Sequence, residues 1–166
     1  MAEQSLLSSV IAKMQVLPLP LRKKAMSTFF GTVVKFFGTA SIRVDEMSPA
    51  RSVMTMKNRK KVQNHIGTIH AAAMSLLAES ATGLMVAMTL PNDKLPLMKS
   101  MSFNYVKRAA PGELVAVAEL TPAQLDDIRN LDKGEVTVKV TITDVKGVEP
   151  VICDMVWAWI PKKRKA

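Results

Sequence analysis

Between Ile66 and Leu90 the chain carries one formally charged side chain, Glu79. A stretch this apolar must be buried, and everything else has to be arranged around it. It begins in a polar loop and carries His70 and Glu79, so it predicts a buried core helix and no membrane insertion. The helix is expected from about Ile69 to Met88, with Pro91-Asn92-Asp93 closing it.

The flanking segments have other periods. Leu6, Leu7, Val10, Ile11 and Met14 keep helical spacing until Pro18 and Pro20 break the chain. A second helix is expected over Leu21–Phe37, with Gly38 as its stop. Short strands follow near Ala40–Asp45 and Ser52–Lys57, turned by Ser48-Pro49. After the core helix, Met101, Phe103 and Tyr105 alternate with polar residues, and Pro111-Gly112 marks a turn before a strand over Glu113–Leu120. Thr121–Lys133 reads as a polar excursion with a helical turn. Val136, Val138, Val140 and Ile142 hold strict period two, and Val151–Ile160 is apolar enough for a central strand covered on both faces. Helices, two strands, one long apolar helix and then strands make an α+β arrangement in which one sheet wraps one helix. The expected organisation is a helical extension over residues 1–38, one domain over 39–161 and a basic tail over 162–166.

The 166 residues suffice for one domain. A net charge of +9 suits a polyanionic or phosphorylated partner, but the cations are dispersed apart from Lys57–Lys61 and the C-terminus. Aromatic-plus-basic runs are missing, so no nucleic-acid partner is expected. Cys153 is the only cysteine and sits in an apolar run, which fits packing and a reducing cytoplasm. With Glu3 and Lys13 near the start, no signal peptide is read. The terminal Pro-Lys-Lys-Arg-Lys reads as a solvated tail.

Glu79 is the residue with the most chemical content. Its helical neighbours Ala72, Ser75, Ala78 and Gly83 are small and would let a sheet pack close. A carboxylate held there is poorly solvated and is a functional candidate; the competing reading puts it on an exposed stripe. His70, at the helix start, is by itself more often a cap than a catalyst. Nine residues separate it from Glu79, about 13 Å of helix and two and a half turns. The two project from opposite faces, so a shared site requires a second copy of the chain. No metal-ligand cluster, glycine-rich phosphate loop or serine elbow occurs, so no metal is expected.

The run Asn64-x-x-Gly67-Thr68-x-His70, with Glu79 nine residues on and then Ser80-Ala81-x-Gly83, resembles the signature of hotdog-fold acyl-CoA thioesterases. The branch it is most similar to is that of the phenylacetate-pathway and human thioesterase-superfamily enzymes, over about residues 40–160. The resemblance implies an antiparallel sheet wrapped round the apolar helix, in a homodimer or a dimer of dimers with sites between subunits. It implies that Glu79 is general base or nucleophile and that Asn64 helps place water and thioester. His70 would join them as a catalytic residue, and Gly67, Ala71 and Ala72 would bind the substrate at the helix start, where the N–H near Ala71 polarises the carbonyl. CoA would enter as part of the substrate, with no separate cofactor, and Lys107 and Arg108 would help hold it.

Two departures matter. Ala71-Ala72 stands where the family has Gly-Gly, adding methyls beside the acyl group, and Glu79 stands where this branch has Asp. They point to a separate bacterial subgroup. Two other functions stay open. A hotdog dehydratase or hydratase would pair His65 with Glu79, although its proline-rich loop is missing. A non-catalytic acyl-CoA sensor would tolerate the alanines.

Overall fold

The computed structural model describes residues 6–162. Three helices come first: α1 (Leu6–Gln15), α2 (Leu19–Val33) and α3 (Lys35–Ala40). Then come β1 (Arg43–Met47), β2 (Arg51–Met56), a 3₁₀ turn at Lys60–Val62 and the long helix α4 (Ala71–Thr89). The remainder is β3 (Lys94–Tyr105), β4 (Leu114–Glu119), α5 (Pro122–Asn130), β5 (Gly134–Asp144) and β6 (Val151–Pro161). The strands form one antiparallel sheet in the order β1-β2-β4-β5-β6-β3, wrapped round α4. The expected α+β arrangement is therefore the one the chain adopts.

Small residues let α4 lie against the sheet. Ala78 and Ala81 are fully buried, and a Cβ at Gly83 would meet the Trp157 ring at 2.3 Å. Two side-chain bonds pin the contact: Ser52 Oγ donates to the Ala81 carbonyl at 2.6 Å, and Trp157 Nε1 donates to Thr82 Oγ1 at 2.9 Å. By length and composition α4 could cross a membrane, but most of it is buried inside this fold.

Several boundaries differ from the sequence reading. Gly38 does not stop a helix. The chain turns at Val34, which is extended, and α3 continues to Ala40 with Ser41 left-handed at its end. Gly38 is needed because α3 crosses α2 there: a Cβ would meet the Gly31 carbonyl oxygen at 2.3 Å. Strand β3 starts at Lys94, well before Met101. Its early half is masked in sequence by Pro96, which an edge strand tolerates, and by a bulge between Met98 and Ser100. The bulge rephases the alternation, so Met98 and Met101 both face α4 across from Trp157 and Met155.

The expectation that β6 is covered on both faces does not hold within one chain. Val151, Met155, Trp157 and Trp159 are buried while Ile152 and Ile160 are exposed, because α4 covers only the inner face. The N-terminal helices are integral to the core. Ile11, Met26, Phe30 and Phe37 are buried in the same cluster as Leu77 and Met85 of α4. The polar excursion forms α5, started by a Thr121–Gln124 capping box. Its C-terminal end is held by the buried Lys94, whose Nζ donates to the carbonyls of Arg129 (3.1 Å) and Leu131 (2.6 Å). Residues 163–166 of the basic tail lie outside the described residues.

Candidate active site

Helix α4 starts from a knotted loop. Asn64 Oδ1 accepts from the N–H groups of Ile66 and Thr68, both at 3.1 Å, and its Nδ2 donates to Thr68 Oγ1 at 2.9 Å. Gly67 supplies the left-handed residue of this turn (φ 76°), and its carbonyl accepts from Asn58 Nδ2 at 2.9 Å. Asn64 thus commits its Oδ1 and one Nδ2–H to the loop.

His70 is the N-cap of α4. Its Nδ1 accepts from Ala72 N–H at 3.1 Å, so in the neutral ring the proton is on Nε2. Its carbonyl accepts from Ala73 and Met74, and its own N–H donates to the Val62 carbonyl. Among the described residues this leaves the N–H of Ala71 without an acceptor, at the positive end of a 19-residue helix. Tyr105 braces the same turn, its hydroxyl 3.1 Å from both the Ala71 carbonyl and Ser75 Oγ.

Glu79 is half-buried two turns further on, on the wall of two apolar cavities. The larger, about 420 Å³, is lined by Val34, Phe36, Leu76, Met98 and Met101, with Ala72 and Ser75 toward the helix start. The smaller, about 170 Å³, lies against Phe37, Leu84, Pro96 and Trp157. Burial pushes the Glu79 carboxyl above its usual range, and the neighbouring Ser80 hydroxyl pulls partly the other way. No cation pairs with Glu79 among the described residues. Ser80 Oγ is itself buried with no well-aligned hydrogen-bond partner. Of the two sequence readings for Glu79, the poorly solvated one describes its position.

A third cavity, about 180 Å³, opens at the helix start between Lys61, Gln63, His70 and Phe36. His70 lines this cavity and Glu79 lines the other two, so one chain does not bring them together. Ala72 lines both the helix-start cavity and the larger Glu79 cavity, so its methyl occupies the space that a glycine would leave open. Lys107 and Arg108 are exposed beyond the end of β3, as are Lys57, Arg59, Lys60 and Lys61 before the loop. His65 is exposed on the loop and lines none of these cavities.

Sequence reasoning missed Val34, Phe36, Met98, Met101 and Tyr105. Only the Phe36–Phe37 pair and the single tyrosine offered a signal. Val34 and Phe36 enter through the unpredicted turn into α3, and the methionines through the bulge in β3.

One sheet wrapped round an apolar helix, with a half-buried carboxylate on that helix facing apolar cavities, is the hotdog arrangement, and the chain has the hotdog fold. Residues 22–160 match the family described as a domain of unknown function (DUF4442), and the chain belongs to that family. The match begins inside α2, so α3 belongs to the family's common domain. No curated protein matches the sequence.

Solved structures share the fold. One is a Pseudomonas aeruginosa protein of unknown function described as a probable thioesterase (TM-score 0.72, 19% identity, 88% of this chain and 97% of that one). Another is a mutant thioesterase of Staphylococcus aureus (TM-score 0.66, 22% identity, 77% and 100%). A third is a thioesterase of Haemophilus influenzae (TM-score 0.65, 14% identity, 87% and 92%).

Proposed function

We propose that this protein hydrolyses acyl-CoA thioesters in the cytoplasm, with Glu79 as general base or nucleophile and the Ala71 N–H as oxyanion donor. The observation that carries the reading is the half-buried, unpaired Glu79 carboxylate on an apolar cavity wall, on the same helix whose first N–H is unsatisfied. Developing charge on a thioester oxygen is stabilised by such a donor, and a lytic water is activated by such a carboxylate.

The two groups serve different sites of one chain. Eight residues of helix separate Ala71 from Glu79, about 12 Å along the axis, too far for both to reach one carbonyl. A homodimer resolves this, with Glu79 of one copy facing the helix start of the other. Strand β3 supports pairing of copies: it is an edge strand twelve residues long with Leu95, Leu97, Met101 and Tyr105 exposed. Asn64, Gly67 and His70 act by shaping the loop that presents the Ala71 N–H, and Lys107 and Arg108 hold the CoA phosphates. We place the chain in a bacterial subgroup beside the phenylacetate-pathway and human thioesterase-superfamily enzymes.

A screen of acyl-CoA substrates with a thiol reagent tests the reading. Released CoA above the uncatalysed rate is expected; binding without release would make the protein a sensor. Enoyl absorbance from hydroxyacyl-CoA would make it a dehydratase.

A further inference from the structure

Between Glu3 and Asp45 the chain has six cations and no acidic residue. Asp45 holds two of them, Lys23 and Arg43; among the described residues Lys13, Arg22, Lys24 and Lys35 have no carboxylate partner. Within this stretch the turn from α1 into α2 carries six apolar residues in succession, Val16-Leu17-Pro18-Leu19-Pro20-Leu21. Five of the six are exposed, with Val16 at 84%, Leu19 at 55% and Leu21 at 56%. Single exposed aliphatic side chains are ordinary, whereas a contiguous patch marks a contact surface. We propose that the α1–α2 turn is a peripheral membrane anchor: Val16, Leu19 and Leu21 enter the interface of an anionic phospholipid bilayer, and Lys13, Arg22 and Lys24 meet its phosphates.

The backbone of the turn is suited to leaving water. Pro18 and Pro20 have no N–H to strand. Leu17 N–H donates to the Met14 carbonyl at 3.1 Å, and Arg22 N–H donates to the Pro18 carbonyl at 2.9 Å. The Arg22 guanidinium donates to the Leu17 carbonyl through Nε (3.4 Å) and Nη2 (3.2 Å). These bonds and the prolines reduce the polar backbone that lipid would strip of its water. Charge then selects the occupant. A second copy docked on the same patch would set its cations against their own kind, whereas an anionic leaflet attracts them. A bilayer also needs no shaped socket for three aliphatic side chains. The apolar helix α4 stays mostly buried in the fold, so the contact does not span the membrane. Helix α2 is 15 residues long, about 22 Å, and separates the anchor from Val34 and Phe36 on the cavity wall. Membrane contact at the turn is thus independent of catalysis at Glu79.

Co-sedimentation of the full chain with lipid vesicles tests this. Wild type is expected to bind vesicles of phosphatidylglycerol and phosphatidylcholine in equal parts, less as salt rises, and not to bind phosphatidylcholine alone. Val16→Ser with Leu19→Ser, both at exposed positions, should weaken binding about tenfold or more. Lys13→Gln with Lys24→Gln should weaken it about tenfold as well. Lys133→Gln with Lys146→Gln removes the same charge from exposed positions elsewhere and should leave binding within about twofold, since it lies away from the contact. Equal losses in the two lysine pairs, or unchanged affinity in the serine variant, would reduce the binding to attraction by net charge and overturn the anchor. No binding to either vesicle, or equal binding to both, would do the same. If the serine variant instead turns a wild-type oligomer into a smaller one in analytical ultracentrifugation, a second copy occupies the patch and the proposal fails.

Discussion

Glu79 and the free N–H of Ala71 lie on one helix, eight residues apart, with the carboxylate on a cavity wall and the N–H at the helix start. On the proposed function each would be half of a hydrolytic site, and the helix itself keeps them about 12 Å apart. Complementation in trans follows. Ala71 is the first helical residue after the N-cap, a position where proline fits, and His70 already has the extended backbone (φ −65°, ψ 145°) that a following proline requires. Ala71→Pro should therefore fold normally while removing only the oxyanion donor, with kcat falling about 10²-fold or more. Co-expressed with Glu79→Gln, it should recover about a quarter of wild-type activity, because half of randomly paired dimers hold one intact site of two. No recovery from well-folded mixed dimers would place both groups in separate mechanisms.

The pH dependence has a definite sign. Burial raises the Glu79 carboxyl, so as a base it loses its charge and kcat falls as pH drops through an inflection above the usual carboxylate range. The Ser80 hydroxyl opposes that rise. Ser80→Ala should move the inflection to higher pH. An inflection at the ordinary glutamate position in both proteins would mean that Glu79 is fully solvated in the working enzyme.

The contact between Gly83 and Trp157 makes a separate prediction about stability. A methyl at Gly83 would stand 2.3 Å from the indole, and overpacking of this kind costs about 1–3 kcal/mol. Gly83→Ala should lower Tm and shift the Trp157 fluorescence, measured against Gly147→Ala, where nothing lies within 4 Å but the left-handed backbone is strained in its own right. A smaller loss at Gly83 than at Gly147 would show that the helix does not press on the ring.

How much of this was legible in the sequence follows from period and locality. The single charge between Ile66 and Leu90 located α4 and Glu79, because burial of a long apolar helix leaves few arrangements open. The period-two run around Val136–Ile142 located β5 for the same reason. What was hidden depends on contacts distant in sequence. Gly38 looks like a helix stop and is instead the point where α3 crosses Gly31. Met98 and Met101 share a face only because of a bulge that no alternation rule anticipates. The turn at Asn64 was hidden too: its Oδ1 accepts from two loop N–H groups and one Nδ2–H goes to Thr68, leaving the other Nδ2–H for a substrate.

Lys107 and Arg108 after β3, with Lys57, Arg59, Lys60 and Lys61, are exposed, and on the proposed function they would hold the phosphates of CoA. Contacts of that kind are screened by salt. Affinity for CoA should fall steeply between low and physiological salt, and Lys107→Gln with Arg108→Gln should flatten the dependence. An affinity that does not respond to salt would mean that CoA is held by other means.

The most direct measurement is turnover by Glu79→Gln. The substitution keeps the shape and removes the charge, so kcat should fall about 10²-fold or more, while affinity for a non-hydrolysable acyl-CoA analogue holds. The stability of the same variant is predicted with the opposite sign. A carboxyl raised by folding makes the native state bind more protons than the unfolded chain, so stability declines as pH rises from the ordinary carboxylate value to the raised one. Above the raised value the wild-type protein bears that cost in full, and there Glu79→Gln should melt higher. An inactive, stabilised variant that still binds the analogue is the result the account predicts; wild-type turnover by Glu79→Gln would contradict it.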